Sequence, residues 1–196
     1  DEVAADPSVD KTRFYLLGVS NGGMMALTLA CELAGRFAAV APIIAQLAPG
    51  FACAPGVDLP MIHLFGGKDR TVSFDGLAGS DGYVYTSASE TAAVWAESMS
   101  CQAAPQRWET EESKRANLRC TAYSDCARDL DEVVSCMDPE GGHDWPKQRA
   151  EGALATCVTE EQYGSMPDHP HCKPGTGEYR SDGMAVVWRF FRRYSR

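Results

Sequence analysis

The stretch RFYLLGVSNGGMMALTLACELAG spans residues 13–35 and joins an apolar run to a helix-forming segment through a glycine-rich turn. The apolar run 13–19 predicts a strand that is covered on both faces. Residues 24–35 have helix-forming composition, and Gly35 is a natural residue at which such a helix ends. Ser20 is therefore expected on a sharp turn between a buried strand and a helix.

The turn carries the pattern Gly-x-Ser-x-Gly, in which Gly18 and Gly22 flank Ser20. Glycines allow a tight, strained turn in which the strand and helix backbones approach closely. The pattern predicts a nucleophile elbow, because it stands in the strand–turn–helix context that such an elbow requires. A structural glycine turn that happens to contain a serine is the alternative.

Further apolar runs and helix-forming segments alternate along the chain. The predicted strands cover residues 37–44, 59–67, 106–110, 118–124 and 132–137, the predicted helices cover residues 87–99 and 183–194, and residues 76–82 are predicted as a loop. This alternation favours an α/β fold with a mostly parallel sheet flanked by helices.

A serine becomes a nucleophile only when a base accepts its proton and an acid orients that base. Asp69 is the candidate acid, since it follows the apolar run 59–65 through a short glycine-containing loop. Ligands gather at this end of the strands in open α/β sheets. An Asx turn is the alternative role for Asp69. Asp58 precedes its strand and Asp75 lies further out, so both are weaker candidates.

His143 is the candidate base, because in EGGHDWP it follows the apolar segment VVSCM and two glycines that allow close backbone approach. Asp144 is adjacent to His143 and is poorly placed to orient its imidazole. The order Ser20, Asp69, His143 is the chain order of the triad in α/β-hydrolases. Each of the three residues follows a predicted strand, so the three placements support one another.

The chain has three other histidines. His63 stands inside an apolar strand, which favours a packed core histidine. His169 and His171 form a His-x-His pattern beside Cys172, and a metal site there is the alternative to a plain loop. No carboxylate or third histidine is evidently spaced to complete it, so we expect no metal.

Composition narrows the function classes. The 196 residues are enough for one domain, and the net charge of −9 argues against nucleic acid, whose phosphates require clustered Lys and Arg. No window approaches the about 18 unbroken apolar residues of a membrane span. No cofactor-binding motif stands out.

The eight cysteines are scattered singly, without a Cys-x-x-Cys pair. This favours disulfides and an oxidising compartment over a zinc ribbon, while eight reduced cysteines are the alternative. The spacing alone does not fix connectivity. The pairs we expect are Cys31–Cys53, Cys101–Cys126, Cys120–Cys136 and Cys157–Cys172, the last of which would staple an insertion around residues 151–182.

The run VDKTRFYLLGVSNGGMMALTLACELAGRFAAVAPI resembles the secreted poly(3-hydroxybutyrate) depolymerase and feruloyl esterase family of α/β-hydrolases. GGKDRTV is similar to the acid loop of that family, and GGHDWP is similar to its histidine loop. The segment ending at Cys101 also resembles a family helix whose cysteine pairs with the counterpart of Cys126. The resemblance covers most of residues 1–150, and Phe65-Gly66 stands where the family often has His-Gly.

The resemblance implies an α/β-hydrolase fold and a role for each matching residue. Ser20 would be the nucleophile, Asp69 the acid and His143 the base. The backbone N–H of Asn21 would be one oxyanion donor, and Trp145 would form a wall of the acyl pocket. Neither a metal nor an organic cofactor is needed for this chemistry.

The front of the chain departs from the family. Only 19 residues precede Ser20, whereas family members carry several strands and helices there. We therefore expect residues 1–196 to form the C-terminal portion of one hydrolase domain, with the N-terminal strands missing. A second chain supplying that half is one possibility, and without it the strand 13–19 would be an exposed apolar edge.

Two function classes follow from these residues. The first is a secreted serine carboxylesterase that hydrolyses feruloyl, acetyl or hydroxyalkanoate esters through an acyl-enzyme. The second is a non-catalytic hydrolase-like scaffold or binding subunit of a larger assembly. A peptidase on the same fold would share the three site residues and is a third hypothesis.

Overall fold

The computed structural model describes residues 2–50, 53, 57–102, 104–146, 148–150 and 179–196. The helices are α1 (Glu2–Ala5), α2 (Asn21–Glu32), α3 (Ala88–Ser98), α4 (Glu111–Arg115) and α5 (Asp182–Phe191). The strands are β1 (Tyr15–Val19), β2 (Ala39–Ile43), β3 (Met61–Gly66), β4 (Leu77–Ala78), β5 (Val84–Tyr85), β6 (Gln106–Trp108), β7 (Arg119–Tyr123), β8 (Val133–Asp138), β9 (Gln148–Ala150) and β10 (Tyr179–Ser181).

The main sheet has the strand order β1-β2-β3-β8-β7-β6. Strands β1, β2, β3 and β8 run parallel, and β7 and β6 are antiparallel to their neighbours. The sheet is therefore mostly parallel and the α/β fold class is confirmed. Because parallel strands end at the same edge, the residues that follow β1, β3 and β8 meet there.

Each face of the sheet has its own hydrophobic core. Helix α5 covers one face, where Val186 and Phe190 are fully buried with Ile62 and Val134 of the central strands. Helices α2 and α3 cover the other face, where Trp95 is 1% exposed and its indole N–H donates to the Leu59 carbonyl at 2.9 Å. This burial fixes the central strands, whose ends carry the candidate site.

Several predicted boundaries differ from the structure. Helix α2 begins at Asn21 directly after Ser20, rather than at residue 24, and Gly35 lies in a separate 3-10 turn (Ala34–Arg36). Within the predicted loop 76–82, Leu77 and Ala78 form strand β4, which pairs with β5 in a short hairpin. Helix α4 was not predicted. It is short, and it begins at a capping box between Thr110 and Ser113.

Three disulfides tie the described residues together, and they are pairs that we expected. Cys31–Cys53 anchors the end of α2, and Cys101–Cys126 joins the segment after α3 to the segment after β7. The third disulfide joins Cys120 to Cys136, which are directly opposed on β7 and β8. The expected Cys157–Cys172 pair lies outside the described residues, as does the insertion it would staple except for residues 179–182.

Strand β1 is the edge of the described sheet on one side. None of its five residues is fully buried, and Leu17 is 38% exposed. Its outer flank has no neighbouring strand among the described residues. In the same part of the chain, every helix is too short or too polar to cross a bilayer.

Candidate active site

Ser20 occupies a strained turn between β1 and α2. Its backbone has φ 52° and ψ −124°, a conformation that non-glycine residues rarely adopt and that costs about 1–3 kcal/mol. The Ser20 N–H donates to the Ile43 carbonyl at 2.9 Å, and the Ser20 carbonyl accepts from Met24 N–H at 3.0 Å. These two bonds join the turn to β2 and to α2, so the hydroxyl is held at the sheet edge.

Two glycines make this turn possible, and only one of them belongs to the Gly-x-Ser-x-Gly pattern. A Cβ atom at Gly18 would lie 2.0 Å from the Gly22 carbonyl oxygen. A Cβ atom at Gly23 would lie 2.5 Å from the Ala45 Cβ. A Cβ atom at Gly22 would meet nothing within 4 Å. Close packing therefore requires glycine at positions 18 and 23, whereas position 22 has room for a side chain.

Asp69 follows β3 and has both of the roles considered for it. Its Oδ1 accepts from the backbone N–H groups of Thr71 at 2.8 Å and Val72 at 2.9 Å, which is the Asx-turn arrangement. Its Oδ2 lies 2.8 Å from His143 Nδ1. The side chain is 1% exposed, so its orientation is fixed by these bonds rather than by solvent.

His143 joins the other two residues. Its Nδ1 faces the Asp69 carboxylate, which as an ion can only accept, so Nδ1 carries the proton. Its Nε2 is then free to accept from the Ser20 hydroxyl, whose Oγ lies 3.0 Å away. The imidazole side chain is 29% exposed, which leaves the serine end of the arrangement open to a ligand. The structure thus brings Ser20, His143 and Asp69 into one hydrogen-bonded relay.

The acid loop and the histidine loop are fixed against each other by their backbones. A Cβ atom at Gly66 would lie 2.3 Å from the Gly142 carbonyl oxygen, so the two loops are too close for a side chain at position 66. The Gly67 N–H donates to the Asp138 carbonyl and the Lys68 N–H donates to the Gly141 carbonyl, both at 2.8 Å. An ion pair between the Lys68 and Glu140 side chains spans the same two loops.

A tyrosine and a carboxylate that sequence reasoning missed lie beside the relay. The Tyr85 hydroxyl donates to Asp81 Oδ2 at 2.6 Å. The pKa of Asp81 is lowered, chiefly by this bond, then by the Tyr83 N–H and, more weakly, by the charge of His143. Burial, followed by the bond to Asp81, raises the pKa of Tyr85 to about 12. The hairpin β4–β5 that carries them had no clear sequence signal, because residues 76–82 contain three glycines.

Trp145 has a defined partner in the structure. Its indole N–H donates to Ser181 Oγ at 2.8 Å, and Ser181 Oγ donates in turn to the Pro146 carbonyl at 3.1 Å. The Met184 N–H donates to the same Ser181 oxygen, which caps α5. Trp145 therefore ties the histidine loop to the start of α5.

The weaker acid candidates do not join the relay. Asp58 pairs with Arg128 at 3.0 Å, and Asp75 and Asp144 are exposed. His63 is fully buried, and burial lowers its pKa to about 4 against a smaller opposing effect of the Ala45 backbone. It is a neutral core histidine.

The possible metal ligands give no further site in the described chain. His169, His171 and Cys172 lie outside the described residues. No group of three or more His, Cys, Asp or Glu side chains suited to a metal ion is present in the part of the chain that the structure describes.

The fold and this geometry together define a class of site. A serine on a strained strand-to-helix turn, an imidazole and a buried carboxylate are aligned at the carboxyl edge of a mostly parallel α/β sheet. Such an arrangement can remove the proton of the hydroxyl as its oxygen attacks an electrophilic carbon.

Comparison with known proteins agrees with this class. The chain is 30% identical over 165 residues to NocK of Nocardia uniformis subsp. tsuyamanensis, a protein named as an esterase. The aligned region makes up 74% of the chain and 46% of NocK. The chain is also 25% identical over 150 residues to feruloyl esterase B of Piromyces equi, and the aligned region makes up 72% of the chain and 27% of that enzyme. No protein-family model matches the chain.

The two similarities support an esterase-type family for this chain and do not single out poly(3-hydroxybutyrate) depolymerases. The chain spans less than half of the length of both curated relatives.

Proposed function

We propose that this chain is the catalytic portion of a secreted serine carboxylesterase with an α/β-hydrolase fold. The observation that carries the proposal is the relay from Ser20 Oγ to His143 Nε2, at 3.0 Å, and from His143 Nδ1 to Asp69 Oδ2, at 2.8 Å. Esterases among the similar proteins support the same reaction class.

In the proposed reaction, Ser20 Oγ attacks the ester carbonyl carbon while His143 Nε2 accepts the hydroxyl proton. Asp69 orients the imidazole and stabilises its protonated form. The tetrahedral intermediate collapses, the alkoxide leaves with the proton from His143, and an acyl ester forms on Ser20. Water, deprotonated by the same imidazole, then releases the carboxylic acid and restores the serine.

The backbone N–H of Asn21 is the proposed oxyanion donor. Asn21 is the first residue of α2, and the N–H groups of a first helical turn have no acceptor within the helix. The positive end of the helix dipole adds to the attraction for a developing negative charge. A second donor would come from a segment that lies beside β1, because an oxyanion hole of this class uses two N–H groups.

We propose that this segment also pairs with β1, so that residues 1–196 form the C-terminal portion of one hydrolase domain. The partly exposed β1 edge supports this, since an apolar strand without a neighbour is an aggregation hazard. The incomplete coverage of both relatives supports it as well. The segment is either part of the same polypeptide or a second chain.

The proposed substrates are esters with a largely uncharged acyl group, of the feruloyl, acetyl or hydroxyalkanoate type. An apolar pocket of about 100 Å³ beside the first two turns of α2 has room for an acyl group of acetyl size, and a larger acyl group would extend beyond it. The pocket is lined by Met24, Leu27, Thr28, Gln46, Leu47, Ala48 and Tyr85. Trp145 is the proposed wall on the histidine side, since it follows His143 by two residues and is half-buried.

Export to an oxidising compartment is the proposed location. Three disulfides bridge separate elements, and disulfides persist mainly in secreted and extracellular proteins.

Labelling with a fluorophosphonate probe tests the proposal. We expect one covalent adduct on the protein, lost in Ser20→Ala and kept in the control Ser8→Ala, because Ser8 is an exposed turn serine whose hydroxyl donates to the Asp6 carboxylate and not to a histidine. Hydrolysis of matched ester and amide substrates then separates an esterase from a peptidase. A folded protein that contains the β1 partner and still takes no label would favour the non-catalytic scaffold.

A further inference from the structure

A second cavity lies on the sheet face that α2 and α3 cover, away from Ser20. Helix α3 packs on β3 and β8, and the outer strands β7 and β6 leave Arg119, Thr121 and Arg107 exposed on the same face. The groove between α3 and these outer strands has a volume of about 640 Å³. This is within the range of about 300–1,000 Å³ that is usual for small-molecule sites.

The strand register gives this groove two different ends. One row of side chains runs across the sheet from Phe65 on β3 through Met137 on β8 to Arg119 on β7. The next row runs from Ser135 on β8 through Thr121 on β7 to Arg107 on β6. Residues in a row point to the same face, so the groove is apolar near β3 and cationic near the outer strands.

The apolar end is an aromatic surface. Phe65 and Phe74 are stacked with their ring centroids 5.1 Å apart, and both line the groove together with Met137. Ser89 and Ala92 of α3 form the opposite wall. Flat rings pack well on such a surface, because offset aromatic pairs are favourable beyond the area that they bury.

The cationic end keeps positive charge available for a ligand. Among the described residues, Arg119 forms no ion pair. Glu109 lines the groove and pairs with both Arg107 and Lys114, and Lys114 also pairs with Glu111 at 3.1 Å. Three cations against two carboxylates leave this end with a net positive charge, on a chain whose net charge is −9.

We propose that this groove is a binding site for a small carboxylate that carries a flat apolar ring. The ring lies against Phe65 and Phe74, and the carboxylate pairs with Arg119, whose guanidinium can donate two parallel hydrogen bonds to it. The site is separate from the Ser20 relay, and its occupancy does not depend on ester hydrolysis.

Calorimetric titration of the whole protein with trans-cinnamate tests this site, with the neutral trans-cinnamamide as the matched probe. We expect saturable binding of cinnamate and about tenfold weaker binding of the amide, because the amide cannot form a charge-assisted pair with Arg119. Arg119→Met is expected to weaken cinnamate about tenfold and to change cinnamamide less than about twofold.

Two further variants separate the groove from the rest of the protein. Thr121→Trp places a large ring on the groove floor and is expected to weaken both probes. Arg192→Met, an exposed arginine after α5 on the opposite face, is expected to change neither. Absence of saturable cinnamate binding would overturn the proposal. Binding that is insensitive to Arg119→Met and Thr121→Trp but lost on phosphonylation of Ser20 would also overturn it, since it would place the ligand at the relay.

Discussion

The strand that carries the serine and the strands that carry the acid and the base differ sharply in burial. No residue of β1 is fully buried, whereas every residue of β2 and β3 is. Asp69 and His143 follow β3 and β8, which are neighbours in the middle of the sheet. Ser20 follows β1, which is at the edge of the described sheet.

The two halves of the relay are also held differently. The acid and histidine loops are joined by backbone hydrogen bonds and glycine contacts, so their relative position is fixed by the central strands. Ser20 depends on its own strained turn and on the packing of Gly18 and Gly23. We infer that the His143–Asp69 pair is preorganised by the core and that the serine is positioned by local backbone geometry.

The largest expected effect is on catalysis, and it comes from changing the His143–Asp69 pair that the central strands hold. Asp69→Asn keeps an oxygen for the Asx turn but presents an amide N–H to His143, which favours the wrong imidazole tautomer. We expect ester hydrolysis to fall about 10⁴-fold with little loss of stability. The matched control Asp75→Asn alters an exposed carboxylate outside the relay. Similar activity of the two variants in a p-nitrophenyl acetate assay would contradict the role of Asp69.

Protonation of His63 tests whether the folded core around the central strands excludes solvent. Its pKa is lowered from 6.5 to about 4 by burial, so below pH 6.5 the unfolded chain binds a proton that the folded chain does not. Stability should therefore fall as the pH drops from 6.5 to 4, by an amount on the order of 3 kcal/mol from this residue.

Urea unfolding at a series of pH values measures this loss, with His63→Leu as the comparison. We expect a shallower pH dependence in the variant over the same window. Equal slopes in the two proteins would show that the imidazole is accessible to protons in the folded state.

The glycines at the serine turn test the other half of the relay. We expect Gly18→Ala and Gly23→Ala to destabilise the protein by about 1–3 kcal/mol each, because a Cβ atom overlaps with backbone or Ala45 at these positions. Gly22→Ala is expected to be neutral or to stabilise by up to about 1 kcal/mol, since it lies in a helix with open space. Thermal unfolding of the three variants provides the measurement, and equal losses would contradict the packing argument.

The smallest expected effect is at the β1 edge. Leu17→Lys should change the stability of residues 1–196 by less than about 0.5 kcal/mol, as should the control Leu130→Lys at an 83% exposed position. In a protein that contains the proposed β1 partner, Leu17→Lys should cost more than Leu130→Lys. Equal effects in that longer protein would argue against a partner at this edge.

The sequence predicted the features that depend on local pattern. The apolar run before Ser20, the glycines around it and the helix-forming segment after it indicated a strand–turn–helix unit, which the structure contains. The placement of Asp69 and His143 after apolar segments indicated that all three side chains lie at one sheet edge. This worked because parallel strands align their ends, so chain position alone determines the edge.

The features that were missed depend on contacts between distant residues. The need for glycine at position 23 comes from Ala45, and the partner of Trp145 is Ser181. Asp81 lies near His143 because a short hairpin folds over the acid loop, where the Ser80 N–H donates to the Arg70 carbonyl. No periodicity or motif records such contacts, because they arise only when separate loops pack together.

Activation of Ser20 by His143 is the step on which the proposed reaction depends, and trapping the acyl-enzyme tests this step. The protein is mixed with p-nitrophenyl acetate, quenched in acid and digested, and the acetylated peptide is located by mass spectrometry. We predict one acetyl ester on Ser20 that is absent from His143→Ala and present in the core variant His63→Leu. Acetylation of Ser20 at an unchanged rate in His143→Ala would show that His143 does not activate the serine.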